Sequence, residues 1–344
     1  MYTNQTDEEL DAMRCMSSDK FESLNSVWQK FNFLWFSLIV LLTFYFSLRA
    51  AKLLKNHNVY SHGAQYLLFF TLFNGNLNQA VFLEIKTRQL AHILAYSNDP
   101  CKIEFRNSEC VYDHDIFAFS TVLSTWLVSA LTCDRFVSFF APITYKKQSK
   151  MVAYFFLISS IILTFPVHFY VYGGISRAGY VPSCLYTPRR SSEASKVVRY
   201  GKFWLIMANF VLIILILLLN VVRNRKIKKT VFDTAARYSS FESLETTKAI
   251  CSICSTQFAF LSFGMAVFLI IRPIIVGSIP KEVIHIIAQY IVGIETYGNL
   301  SMPIIIILKT NQCIEKRRTS IGKMTKHSFH ENAYFKSLKT AWEA

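Results

Sequence analysis

Along Thr132-Cys133-Asp134-Arg135-Phe136-Val137-Ser138-Phe139-Phe140-Ala141-Pro142-Ile143-Thr144-Tyr145 the chain changes character: a long apolar run ends and a basic segment begins. An acid and an arginine stand side by side at that boundary. Pro142 follows seven residues after the arginine, and Tyr145 three residues later. If the run crosses a bilayer, the pair lies at a membrane interface. There Arg135 is either an anchor that snorkels to the headgroups or half of an ion pair that closes in one state and opens in another. The second reading gains force if this run is the third of seven.

Seven apolar runs are present, at 31–48, 64–85, 116–133, 151–172, 203–222, 249–271 and 283–308. Each is about long enough to cross a hydrocarbon core of ~30 Å at ~1.5 Å per helical residue. All 37 Lys and Arg fall outside them, as lipid demands, because a charge at the bilayer centre costs at least about 2.5 kcal/mol. The chain is 52% hydrophobic and only 17% charged, whereas a soluble domain carries about 25% charged residues. These facts point to an all-α integral membrane protein, a seven-transmembrane helix bundle. The net charge of +15 does not indicate nucleic acid, since no basic face is separable from the spans. The second run is the least apolar, with Asn74, Asn76, Asn78, Gln79 and Glu84, as suits a helix packed inside a bundle. No internal repeat is visible, which counts against many transporters. There is no H-E-x-x-H, G-x-S-x-G or P-loop, so no enzyme and no cofactor is expected.

With the N-terminus outside, the inner segments hold 22 Lys and Arg and the outer ones 15, while the acids run 7 to 13 the other way. The bias has the sign of the positive-inside rule. The chain therefore divides into an extracellular N-terminal segment (1–30), a seven-transmembrane domain (31–308) and a cytoplasmic tail (309–344). The first thirty residues carry no signal-peptide pattern, so the first span is expected to direct insertion. Asn4-Gln5-Thr6 is a glycosylation acceptor that would face the lumen.

Within the spans, Glu295 is the sharpest residue. Four positions before Asn299, it shares that residue's helix face, and an ionisable group at such depth must face the bundle or water. Asn74 and Asn78 share a face of the second span at comparable depth. A polar network between spans two and seven is expected. Glu295 either meets a cationic ligand, sets a conformational equilibrium, or stays protonated and bonds the amides as a structural link. His168 is either a pocket residue or an interfacial histidine. Cys15, Cys101, Cys110 and Cys184 fall in outer segments, an even number with three pairings open. Cys251 and Cys254 have C-x-x-C spacing, but inside an apolar run they are not read as a metal site. Cys313 is a palmitoylation candidate or a free thiol. The basic stretch Arg223-Asn224-Arg225-Lys226-Ile227-Lys228-Lys229 suits anionic lipid or an acidic partner.

The Asp134-Arg135-Phe136, Pro142 and Tyr145 pattern resembles the D-R-Y…P-x-x-Y pattern at the inner end of the third helix in rhodopsin-like receptors. Across most of its length the chain is similar to nematode chemoreceptors of the serpentine receptor class alpha family. The matching residues are Cys15, Glu22-Ser23-Leu24-Asn25, Pro100-Cys101, Cys110, Arg135, Ser183-Cys184 and Pro188. The most specific match is Arg237-Tyr238 with Glu242-Ser243-Leu244-Glu245-Thr246-Thr247-Lys248-Ala249-Ile250-Cys251 and Gln257-Phe258. Phe335-Lys336-Ser337-Leu338-Lys339-Thr340-Ala341-Trp342-Glu343 also fits. Two rhodopsin-like signatures are missing, the C-W-x-P of span six and the N-P-x-x-Y of span seven.

The resemblance implies a multi-pass chemosensory G-protein-coupled receptor of the plasma membrane, in sensory neuron cilia, serving olfaction. It implies a small-molecule ligand and a heterotrimeric G protein as partners. It also implies a Cys110–Cys184 bridge, with Cys15 and Cys101 left as a second pair, and a coupling switch at Asp134, Arg135, Pro142 and Tyr145. Two other classes stand beside it: a transporter or channel subunit with Glu295 and the span-two asparagines along its path, and a non-signalling scaffold.

Overall fold

A computed structural model describes residues 15–57, 59–173, 177–188, 191–230, 234–266 and 293–342, together with Ile287 and Tyr290. Asn4 and parts of the sixth and seventh apolar runs lie outside the described residues. A short helix, α1 (Ser18–Asn25), precedes seven long ones: α2 (Val27–Asn56), α3 (His62–Ala95), α4 (Val111–Phe140), α5 (Pro142–Tyr172), α6 (Ser192–Thr230), α7 (Thr234–Ala266) and α8 (Ile294–Trp342). The helices α2, α3, α4 and α6 overrun their apolar runs at both ends. Backbone hydrogen bonding does not stop where hydrocarbon stops. For the same reason α8 continues past Leu308 without a break into the stretch read as a tail.

Four stretches, α2, α4, α5 and Ser192–Ile227 of α6, are long and apolar enough among the described residues to cross a membrane by composition alone. The helix α3 is more polar because its inward face carries Asn74, Asn78, Gln79, Lys86 and Gln89, all buried. The chain is thus patterned inside out. On α2 the large apolar side chains Leu34, Leu41, Tyr45 and Leu48 face outward at 54–73% exposure, while Asn32, Thr43 and Ser47 are buried with Phe36, Val40 and Leu54. With lipid on one side and protein on the other, hydropathy does not mark the inward face; the small and polar residues do.

The helix α4 is central, packing on α3, α5, α6 and α7, while α8 closes the bundle against α2 and α7. The core lies between them, with Leu68, Leu72, Val128, Leu131, Ile213, Ile216, Ile253, Met302 and Ile306 in one cluster. Gly63 of α3 sits so close to α5 that a Cβ there would meet the Ser149 carbonyl. At that crossing only glycine lets the two backbones approach.

One end of the bundle is tied covalently. Cys110–Cys184 and Cys15–Cys101 are both disulfide-bonded. The all-α expectation needs one addition here: β1 (Phe105–Arg106) pairs antiparallel with β2 (Tyr180–Val181), in register Phe105↔Val181. Gly179, at φ 88°, supplies the left-handed turn ahead of β2 that other residues rarely adopt. Its carbonyl accepts from the Asn107 amide at 3.0 Å. The second disulfide holds the N-terminal segment on the same end, where Met16 and Leu24 pack with Ile93 and Ile103.

Candidate functional site

At the end opposite the disulfides, Ala141 both closes α4 and opens α5. Pro142 takes the first helical position of α5, where its missing N–H is no loss and its fixed φ is already helical. A break at Gln148 (φ −123°) separates this first segment from the rest of α5. The segment carries Tyr145 back over the end of α4. Asp134, Arg135 and Tyr145 are all buried there, at 0%, 1% and 5% exposure.

The Arg135 guanidinium donates to Asp134 (Nε to Oδ2, 3.1 Å), to the Tyr145 hydroxyl (2.7 Å) and to Ser61 Oγ (2.9 Å). Tyr145 in turn donates to Asp134 (2.9 Å to Oδ1). Ser61 Oγ lies 2.8 Å from the Tyr145 oxygen. Four side chains from three helices thus close on one another. Taking two charges out of water is costly, and only this many bonds make the pair tolerable. Removing one partner of such a pair costs about 3–5 kcal/mol.

Ser61 was not read from the sequence. It stands at the N-cap of α3 but makes no capping bond; its hydroxyl is committed to Arg135. A serine before an apolar run ordinarily signals a cap, so local pattern points to the wrong partner. Arg223, read as part of a basic stretch for lipid or a partner, is also committed. It donates to the Phe139 carbonyl at 3.0 Å and helps terminate α4.

Farther along α4 lies the polar network. Asn78 donates to Ser120 Oγ (2.8 Å) and Thr121 Oγ1 (3.0 Å), and its carbonyl accepts from Asn299 (3.0 Å). Asn74 donates to the Ser120 carbonyl and to Ser124. The expected link between spans two and seven is present, and span three completes it.

Of the readings open for Glu295, the link to the amides is not the one formed. Glu295 bonds none of these amides; Lys202 Nζ, from α6, meets its Oε1 at 2.8 Å. By composition Lys202 belongs to the segment that precedes the fifth apolar run. It stands one turn before Ile206 on the same face, which is the signal that would have found it.

Asn78, Thr121, Ser124, Val128, Lys202, Ile206, Gln257, Phe260, Leu261, Glu295 and Asn299 all line one cavity of about 40 Å³. His168 is not among them. It sits near Asp115 (3.5 Å), which also pairs with Arg177, at the disulfide end. Arg135 stands roughly 10 Å beyond Val128 along α4, at ~1.5 Å per residue. Leu131, Ile216, Ile253 and Ile306 belong to the apolar core cluster that also takes in Val128.

Lys86, assigned by composition to an outer loop, is instead buried at 2% exposure. It donates to Asn32 Oδ1 at 3.1 Å and faces the Phe36 and Phe82 rings. Cys313 is buried at 3% exposure in the core, where it is shielded from acylation. Cys254 is buried beside Thr132.

The model of the serpentine type 7TM G-protein-coupled chemoreceptor family Sra matches residues 10–342. Serpentine receptor class alpha-27 of Caenorhabditis elegans is 56% identical over 343 residues, covering 100% of this chain and 99% of the relative. Serpentine receptors class alpha-20 and class alpha-18 of the same organism are 31% and 30% identical, each over 99% of this chain and their full length. The family is one of receptors, not of enzymes. Seven long helices and two disulfides among the described residues agree with a family match over nearly the whole length: the chain belongs to the serpentine receptor class alpha family of seven-transmembrane chemoreceptors.

Proposed function

We propose that this receptor detects a small molecule in the cavity between α3, α4, α6, α7 and α8 and signals through a heterotrimeric G protein at the Arg135 end. The disulfide end and N-terminus face outward, and the protein works at the plasma membrane of sensory neurons, in their cilia. The observation that carries this reading is that one helix, α4, contributes to both sites. Thr121, Ser124 and Val128 line the cavity, and Asp134 and Arg135 form the closed cluster. Movement of α4 against α3 and α5 separates Arg135 from Ser61 and Tyr145, which releases the guanidinium and opens a cleft at that end. The charge distribution in the connecting segments supports the orientation.

The test is a cell assay with a surface-tagged chain and a promiscuous G protein, challenged with pooled volatile and water-soluble compounds. The wild type responds to at least one pool, and Arg135→Ala at matched surface level does not. A response that survives the substitution removes Arg135 from the coupling role. Substrate-dependent flux from purified protein in vesicles replaces the receptor reading with a transporter.

A further inference from the structure

The cavity carries a charge pattern that restricts what it accepts. Among the described residues lining it, two are charged, Lys202 and Glu295, and they are of opposite sign and paired at 2.8 Å. The Lys202 side chain is 13% exposed and that of Glu295 37%. A ligand that enters without disturbing the pair leaves the cavity as small as it is, with free volume of about 40 Å³, room for about three waters at 10–15 Å³ each. A ligand that parts them must answer both charges. An anion alone satisfies Lys202 and strands Glu295; a cation alone does the reverse. The cost of a stranded charge falls mainly on Lys202, the less exposed of the two, since a charge with little water around it needs a partner.

The neutral groups around the pair divide in the same sense. Thr121 Oγ1 accepts from Asn78, and its own hydrogen has no acceptor among the described residues, so it is available to a carboxylate in the cavity. Gln257 uses its amide nitrogen on the Gly298 carbonyl at 3.2 Å. That leaves its Oε1 without a hydrogen bond among the described residues, and available to an ammonium in the cavity. Phe260, Leu261 and Ile206 supply apolar wall.

We propose that the ligand is a small zwitterion, one ammonium and one carboxylate on a compact carbon frame, which takes the places that Lys202 and Glu295 occupy for each other. The proposal rests on the reading of this cavity as the ligand site. On binding, the α6–α8 ion pair is replaced by two ligand-mediated pairs, so ligand entry changes the spacing of those helices.

The experiment is thermal unfolding of the purified full chain in lipid nanodiscs with each of the twenty standard amino acids and a set of small betaines. For every compound that stabilises, the carboxamide (cation only) and the des-amino acid (anion only) are compared. The expected result is a rise of a few degrees in unfolding midpoint with at least one zwitterion, and at least about tenfold weaker binding of each single-charge analogue. Lys202→Met and Glu295→Gln each remove the response, and Lys202→Met gains a response to the carboxamide, because Glu295 then lacks its cation.

No stabilisation by any zwitterion overturns the proposal. So do single-charge analogues that bind as well as the parent, a comparison that needs no variant to fold. Stabilisation by neutral alcohols or ketones that persists in both variants also overturns it, while leaving the cavity as the ligand site and the receptor reading in place.

Discussion

The phenolic oxygen of Tyr145 lies 2.7 Å from Arg135 Nη2, so the arginine at the end of α4 is held by the helix that follows it as well as by its neighbour Asp134. Tyr145 accepts from the arginine and donates to the aspartate, a double role no other side chain in the cluster fills.

Tyr145→Phe keeps the ring and removes that oxygen. Hydrogen bonds to charged groups contribute about 1.5–3 kcal/mol. If the cluster holds the resting state, the variant raises ligand-independent signalling about tenfold, since ~1.4 kcal/mol is a factor of ten. Basal G-protein activation at matched surface level is the measurement. An unchanged or lower basal signal means the cluster is not the restraint.

Gly63→Ala produces the same phenotype by a different route. Its Cβ meets the Ser149 carbonyl, with the Tyr145 hydroxyl 3.1 Å away. Overpacking of this kind costs about 1–3 kcal/mol, and moving α5 off α3 relieves it by loosening Tyr145. Gly201→Ala, with nothing within 4 Å of the added carbon, leaves basal signalling unchanged, and its helical position lets it only stabilise, by up to about 1 kcal/mol.

The Asn78–Asn299 bond measures how strongly spans two and seven are joined. A double-mutant cycle with Asn78→Ala and Asn299→Ala, read by unfolding in nanodiscs, gives a coupling of about 0.6 and at most about 1.7 kcal/mol. Asn78→Ala alone is the costlier single change, because that amide also holds Ser120 and Thr121. Equal single effects with no coupling contradict the geometry.

Cys110→Ser and Cys184→Ser are expected to lose most surface expression, alone or together, because removing a native disulfide from a small domain typically costs about 2–5 kcal/mol. Cys15→Ser is milder, since its bridge anchors a segment packed by few apolar side chains. Peptide mapping under non-reducing conditions checks the pairing itself; a Cys15–Cys110 or Cys15–Cys184 peptide is incompatible with this fold.

Glu245 joins α7 to α8 at the Arg135 end, with Lys248 at 2.6 Å and Lys316 at 2.8 Å. Burial works to raise its carboxyl, but the two lysines outweigh it and hold the group below the ordinary carboxylate range. A depressed native value means the link is fully present above the ordinary carboxylate pKa and lost as pH falls through the native one. Glu245→Gln removes no more than about 1 kcal/mol and flattens that acid limb of the unfolding curve. A limb that persists unchanged assigns it to other carboxylates.

What the sequence alone determined was the solvent. Apolar runs free of Lys and Arg, separated by charged segments, follow from the cost of charge in hydrocarbon, and that cost acts residue by residue. The Asp134-Arg135 boundary, the Asn78–Asn299 link and the even set of four outer cysteines were legible for the same local reason: each residue type is unusual where it stands. Helix rotation was not legible, because Leu34 facing outward and Phe36 facing inward look alike to a hydropathy scale. The tertiary structure alone decided that Glu295 meets Lys202 rather than the asparagines. It decided that Ser61 serves Arg135 instead of capping its helix, and that Lys86 is buried against Asn32. Each of these partnerships joins residues on different helices, and the physical reason is that pairing across a bundle depends on which faces pack together, a property of several helices at once.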